Sequence, residues 1–375
     1  MPGRVAGRAS RTDPPSHHAA MSNPAHLDPN FATSQPGSDL RWYDAKTLPV
    51  SGQGWNGDEL AQPWDRLPRR AEGVVRPEVW ALSRHSAGLS LTFTTDAREI
   101  SAQWTLTNPS LALDHMPASG VSGLDLYLQR ADGWRWAGIA RATATTNRVR
   151  LAADIPAAGP RTYRLYLPLY NVPSELLIGI PADATLTPLA PDTRKPVVVY
   201  GTSIVHGGCA SRPGMAYPAI LGRALGVPTI NLGFSGNGRA EPEVAQLVAE
   251  LDPSIFVVDP LPNLNAELVS ERLPGFVAAL RAARPHTPIV LVENITYQHQ
   301  AAFDRAPREC QRKNAALRAV FAQLSGNMRD LHLVPGEGLL GDDGEATVDG
   351  VHPTDLGFTR IAAGLTPLLR RLLAV

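Results

Sequence analysis

The sequence predicts an all-β sandwich followed by an α/β unit, a parallel sheet with helices on both faces. Three observations predict it. Over residues 39–192, short runs alternate apolar and polar residues between turn residues, with almost no helical periodicity. Over 193–375, short β-branched runs alternate with longer amphipathic stretches, the pattern of repeated strand–helix units. The join between them, Pro191-Asp192-Thr193-Arg194-Lys195-Pro196, carries a proline at each end and reads as a linker.

Residues 1–38 are rich in Pro, Ser, Ala, Arg and His and show no apolar periodicity. They begin with basic residues but lack the apolar core of about 7–15 residues that a signal peptide requires. The expectation is a disordered leader, with Met21 a candidate translation start and the cytoplasm the expected address.

Strands follow in order. Residues 89–94 and 100–106 alternate with period two, and so do 124–128 and 134–139, joined across Ala131-Asp132-Gly133 as a hairpin. Residues 148–151, 162–167 and 175–180 complete the candidates. All seven tryptophans fall in this first part: Trp42, Trp55, Trp64, Trp80, Trp104, Trp134 and Trp136. Core or inter-domain packing is the commoner use of such rings, although an indole can also stack on the apolar face of a sugar. Trp55 and Trp64 lie in Gly/Pro-rich loop sequence and are the pair best suited to face a ligand or an interface.

In the second part, Val197-Val198-Val199-Tyr200 reads as a strand buried on both faces. Later strands are expected at 229–232, 255–258, 289–292 and 331–334. Helices are expected at 216–225, 241–251, 266–283, 307–324 and 354–373, with Pro242 suited to a first helical turn.

Lys+Arg and Asp+Glu number 35 each in 375 residues, so the net charge is zero and no nucleic-acid partner is indicated. No apolar run is long enough to span a membrane. Two cysteines, Cys209 and Cys310, read as free thiols of a reducing compartment, with a single pairing the alternative. No HExxH, CxxC or acidic loop suggests a metal, and Gly233-Phe234-Ser235-Gly236-Asn237-Gly238 is not a dinucleotide-binding pattern. No cofactor is expected.

In an open parallel sheet, the segments after the strands converge on one edge. They carry Gly201-Thr202-Ser203, then Gly233 to Gly238, then Pro262-Asn263, and, before the last helix, Asp349-Gly350-Val351-His352-Pro353. Ser203 there can be a nucleophile, or it can merely cap a helix. Asp349 and His352, three positions apart, allow the carboxylate to hold one imidazole nitrogen while the other takes the Ser203 proton. His206 suits a substrate contact or a helix-start role, Cys209 a packed thiol, and Glu293 a structural hydrogen bond.

These four blocks, in order over residues 197–373, resemble the SGNH hydrolases of the GDSL-type esterase superfamily, whose flavodoxin-like sheet is thereby implied. The resemblance implies Ser203 as nucleophile, His352 as base and Asp349 as its orienter. It also implies an oxyanion hole from the Ser203 and Gly236 N–H groups and the Asn263 amide. Thr202 stands where the commoner signature has Asp, and the third block lacks its usual Gly and following Asp. A Gly-Thr-Ser-Ile version with a β-sandwich in front resembles a branch of esterases, several acting on acylated carbohydrates. Its front domain is carbohydrate-binding-module-like.

The expected activity is a metal-free serine esterase removing a short acyl group, acetyl above all, from a carbohydrate or similar alcohol. The rivals are a long-chain lipase or phospholipase and an inactive carbohydrate-binding protein. A small-molecule or carbohydrate ester is the expected partner. The oligomeric state is left open.

Overall fold

The computed structural model describes residues 40–298 and 305–374, so the expected leader lies outside the described residues. Ten strands among the described residues build the first part: β1 (Leu40–Asp44), β2 (Val50–Ser51), β3 (Ser90–Thr95), β4 (Ile100–Leu106), β5 (Leu124–Arg130), β6 (Gly133–Ala140), β7 (Thr146–Ala152), β8 (Arg161–Tyr166), β9 (Pro173–Pro181) and β10 (Leu186–Pro188). They form two sheets, β1-β9-β4-β7 and β10-β3-β8-β5-β6, with β2 added to β3. Every pairing is antiparallel. Phe93, Trp104, Leu126, Tyr163, Leu165 and Ile178 fill the space between them.

All seven expected strands are present. β1, β2 and β10 carry no sequence signal. β2 is two residues long, β10 ends on a proline, and β1 has no fully buried residue, so none carries a clear alternation. Two short helices, α1 (Pro77–Ser83) and α2 (Ala118–Val121), lie in the connections.

The second part contains β11 (Val197–Gly201), β12 (Thr229–Gly233), β13 (Ile255–Asp259), β14 (Ile289–Val292) and β15 (Leu331–Val334). They pair in parallel in the order β12-β11-β13-β14-β15, the flavodoxin-like order. Alternate side chains enter opposite layers. Val198, Tyr200, Phe256 and Val258 pack toward α5 (Pro242–Glu250), α6 (Ala266–Ala283) and α7 (Arg305–Ser325), after α3 (Ser203–His206) and α4 (Tyr217–Leu225) have left the sheet. Val197, Val199, Ile255 and Val257 pack toward α4 and the closing α8 (Asp355–Leu373). Pro242 opens α5 as expected, the Asn265 side chain caps α6, and the Thr354 hydroxyl caps α8.

The described residues fall in one compact unit, and the first part supplies core to the second. Trp55, Leu67, Val75 and Val79 join the layer of Val198 and Tyr200, while Met116, Val121 and Leu169 join the layer of Val197 and Val199. Arg66 is buried and donates to the carbonyls of Asn231 (3.1 Å), Gly233 (2.8 Å), His85 (2.8 Å) and Leu82 (2.7 Å). Four carbonyls replace the water this guanidinium loses, at the rim where β12 ends.

Candidate active site

The rim of the parallel sheet collects the four sequence blocks. Gly201 ends β11, and a Cβ there would lie 2.5 Å from the Asp259 carbonyl oxygen and 2.4 Å from Val205 Cγ2, so only glycine fits this approach. Its carbonyl accepts from Phe234 N–H at 2.9 Å, tying the first block to the second. Gly238 N–H donates to Asn263 Oδ1 at 3.2 Å, tying the second to the third. Ser203 opens α3, but the cap is its neighbour: Thr202 Oγ1 accepts from Ile204 N–H at 3.3 Å. The Ser203 hydroxyl is thereby left for other work.

That hydroxyl lies 2.9 Å from His352 Nε2, and His352 Nδ1 lies 2.7 Å from Asp349 Oδ2. Asp349 Oδ1 also accepts the backbone N–H groups of His352 (2.7 Å) and Val351 (3.0 Å). Burial alone would raise the Asp349 pKa. The His352 and Val351 bonds outweigh it and hold the carboxyl at about 2. The ionised carboxylate fixes the proton on Nδ1 and leaves the Nε2 lone pair facing the Ser203 O–H. The loop bearing both residues is clamped: Val348 N–H donates to the His352 carbonyl at 2.8 Å, and Gln298 N–H to that of Gly350 at 3.0 Å. Gln298 Oε1 in turn accepts from Ala346 N–H at 2.8 Å.

Gly236 sits on a turn at φ +68°, a conformation that side-chain-bearing residues rarely adopt, and the Asn237 N–H closes the turn onto the Phe234 carbonyl at 2.8 Å. With Oδ1 committed to Gly238, the Asn263 amide directs its N–H groups away from that loop. A hydroxyl linked in this way to an imidazole and a carboxylate is equipped for nucleophilic acyl transfer.

Three expected substrate contacts fail on burial. His206 is completely enclosed, its Nε2 lies 2.7 Å from the Leu169 carbonyl oxygen, and its ring stacks on Tyr170 at 4.1 Å. Burial, with Arg66 and His85 adding to it, drives its pKa well below the usual histidine range. Trp55 is 4% exposed and donates from Nε1 to Glu250 at 2.8 Å, so it is an interface residue packed against the α/β layer. Trp64 is 2% exposed, inside the sandwich core. Cys209 and Cys310 are free and buried. Glu293 is buried and accepts from Arg318 and from Gly336 N–H.

Two side chains of the first part reach the rim without a sequence signal. The Tyr170 hydroxyl lies 3.3 Å from Ser235 Oγ, over Gly208, whose Cβ position would also touch His352. His115 meets the His352 ring edge-on, with centroids 5.4 Å apart. Both come from loops with no motif or periodicity. In sequence Asp125 and Tyr127 show only as strand residues, yet both point from β5 to Arg212, on the loop after α3.

A flavodoxin-ordered sheet with a Ser–His–Asp relay on its rim and a β-sandwich packed against it defines the class of α/β ester hydrolases. The family model of GDSL-like lipases/acylhydrolases matches residues 194–370, and that of the N-terminus of SGNH-hydrolase-type esterases, GxDLY, matches 40–186. The chain carries that spelling as Gly123-Leu124-Asp125-Leu126-Tyr127. A GDSL-like lipase from Bacteroides ovatus is 33% identical over 90% of this chain and 98% of its own, with a TM-score of 0.85. The chain belongs to the GDSL-like lipase/acylhydrolase family and is an esterase by class. The salicylyl-acyltransferase SsfX3 from a tetracycline biosynthetic pathway shares the fold at 20% identity and a TM-score of 0.69, over 90% of this chain and 98% of its own. So does the acetyl xylan esterase Est2A from Butyrivibrio proteoclasticus, at 12% and 0.55 over 90% of this chain and 99% of its own. No curated protein matches the chain in sequence.

Proposed function

We propose that the chain is a serine esterase that removes a short acyl group, acetyl first, from a carbohydrate or similar small alcohol. The observation that carries this reading is the relay of 2.9 Å from Ser203 Oγ to His352 Nε2 and 2.7 Å from His352 Nδ1 to Asp349. Ser203 Oγ adds to the ester carbonyl as His352 Nε2 takes its proton. The resulting oxyanion is met by the N–H groups of Ser203 and Gly236 and the amide of Asn263. Collapse breaks the bond to the alcohol, which leaves with the proton from His352. Water, deprotonated by the same imidazole, then releases the acid. The carbohydrate part of the reading draws on relatives of the same fold named as carbohydrate esterases, and on a rim that the sandwich helps to build through Tyr170 and His115.

The test pairs Ser203→Ala with a substrate panel. Hydrolysis of p-nitrophenyl acetate should fall by several orders of magnitude in the variant, and fluorophosphonate labelling should disappear. Wild-type turnover in Ser203→Ala would end the reading. A p-nitrophenyl chain-length series beside acetylated sugars then separates a short-chain esterase from a lipase.

A further inference from the structure

We propose that His115, Cys209 and His352 form a site for Zn²⁺ whose occupation switches the esterase off, an inference that rests on reading His352 as the general base. One ligand atom from each of the three residues lies within 4.8 Å of the other two. A tetrahedral zinc ion with bonds of about 2.0–2.3 Å spaces its ligand atoms by roughly 3.5 Å, so closure requires side-chain shifts on the order of 1 Å. The pieces allow it. His115 is exposed and approaches from a sandwich loop, already edge-on to the His352 ring at 61°. Cys209 is buried beside the relay and is held at φ +73°, a left-handed conformation unusual for a residue with a side chain.

Two imidazoles and a thiolate, with water as the fourth ligand, suit zinc. Hard cations such as Mg²⁺ and Ca²⁺ demand oxygen ligands instead. On binding, Cys209 S–H loses its proton to solvent as the Zn–S bond forms. Because that proton is released on binding, metal binding weakens as the pH falls. The consequence for catalysis follows from His352. A metal on Nε2 occupies the lone pair that would take the Ser203 proton. A metal on Nδ1 displaces Asp349. Either way the base is lost, so the ion is an inhibitor and not a cofactor.

The test uses the full chain and two readouts. Metal-free protein titrated with Co²⁺ should develop a thiolate-to-cobalt charge-transfer band with one equivalent, and Zn²⁺ should abolish it. Cys209→Ser should show no band, and His115→Ala should bind at least about tenfold more weakly. In parallel, p-nitrophenyl acetate turnover is measured with and without Zn²⁺, each variant against its own metal-free rate. Zn²⁺ should inhibit the wild type, a chelator should restore it, and the half-inhibiting concentration should rise at least about tenfold in both variants. A band that persists in Cys209→Ser, no band at all, or equal inhibition of all three proteins would overturn the proposal. If the wild type hydrolyses no ester, the esterase reading falls, while the cobalt band still reports on the metal site.

Discussion

Asp125, on a sandwich strand, accepts a 2.8 Å bond from Arg212, on the loop that leaves the helix opened by Ser203. The same carboxylate accepts Gly214 N–H at 2.8 Å and Trp136 Nε1–H at 3.1 Å, and its side chain is fully buried. Burial lifts its pKa above the usual carboxylate range in spite of Arg212, so desolvation outweighs the attraction. Such a pair adds little over an apolar replacement of both partners but is costly to break. Asp125→Ala should therefore destabilise by about 3–5 kcal/mol in denaturant unfolding, and Asp125→Asn by less, since it keeps the acceptor. A loss below about 1 kcal/mol in Asp125→Ala would mean that the sandwich does not pin this loop.

Asp349→Asn tests orientation apart from proton acceptance. The Asn oxygen can still accept the backbone N–H groups of Val351 and His352, which now bind Asp349 Oδ1 at 3.0 and 2.7 Å. Its amide, however, donates where the carboxylate accepted. The imidazole then carries its proton on Nε2, facing Ser203. Turnover should fall by about 10⁴-fold with the fold intact, read as kcat beside an unfolding curve. A loss under tenfold would remove Asp349 from the relay.

Asn263→Ala tests the oxyanion donors. If the amide donates only once charge has developed, kcat should fall on the order of 10²–10³-fold with KM nearly unchanged. The substitution also removes the acceptor of Gly238 N–H, at 3.2 Å a long bond on a part-buried loop. A rise in KM with kcat preserved would assign Asn263 to that loop's shape instead.

Much of this architecture was legible because period-two and strand–helix patterns report burial directly. β11 reads as four apolar residues in a row, and all five of its residues are buried. Spacing also conveyed the pairing of Asp349 with His352, since three positions in a turn allow few other partners. Which way a loop side chain faces was not legible. Trp55 and Trp64 sit in loop sequence, yet residues far along the chain cover them. Arg66 looks like any surface cation in sequence, because its partners are carbonyls, which carry no side-chain signature. Tyr170 and His115 reach the rim through tertiary packing alone.

Asp259 offers a test in pH. It ends β13 opposite Gly201, is 6% exposed, and accepts from the Tyr217 hydroxyl at 2.9 Å. Burial pushes its pKa up to about 7, and the Tyr217 bond offsets only part of that rise. A folded pKa above the unfolded value of 3.8 means that the native state holds the proton more tightly. The stabilising contribution is therefore full below about pH 4 and is lost as the pH rises through about 7, a change of up to roughly 4 kcal/mol. Asp259→Asn cannot ionise and escapes this loss, whatever its fixed packing cost. The Tm of the variant minus that of the wild type should accordingly move upward by several degrees between pH 5 and pH 8. A difference that stays flat across that window would show that Asp259 does not titrate between pH 5 and pH 8 and would overturn a folded pKa near 7.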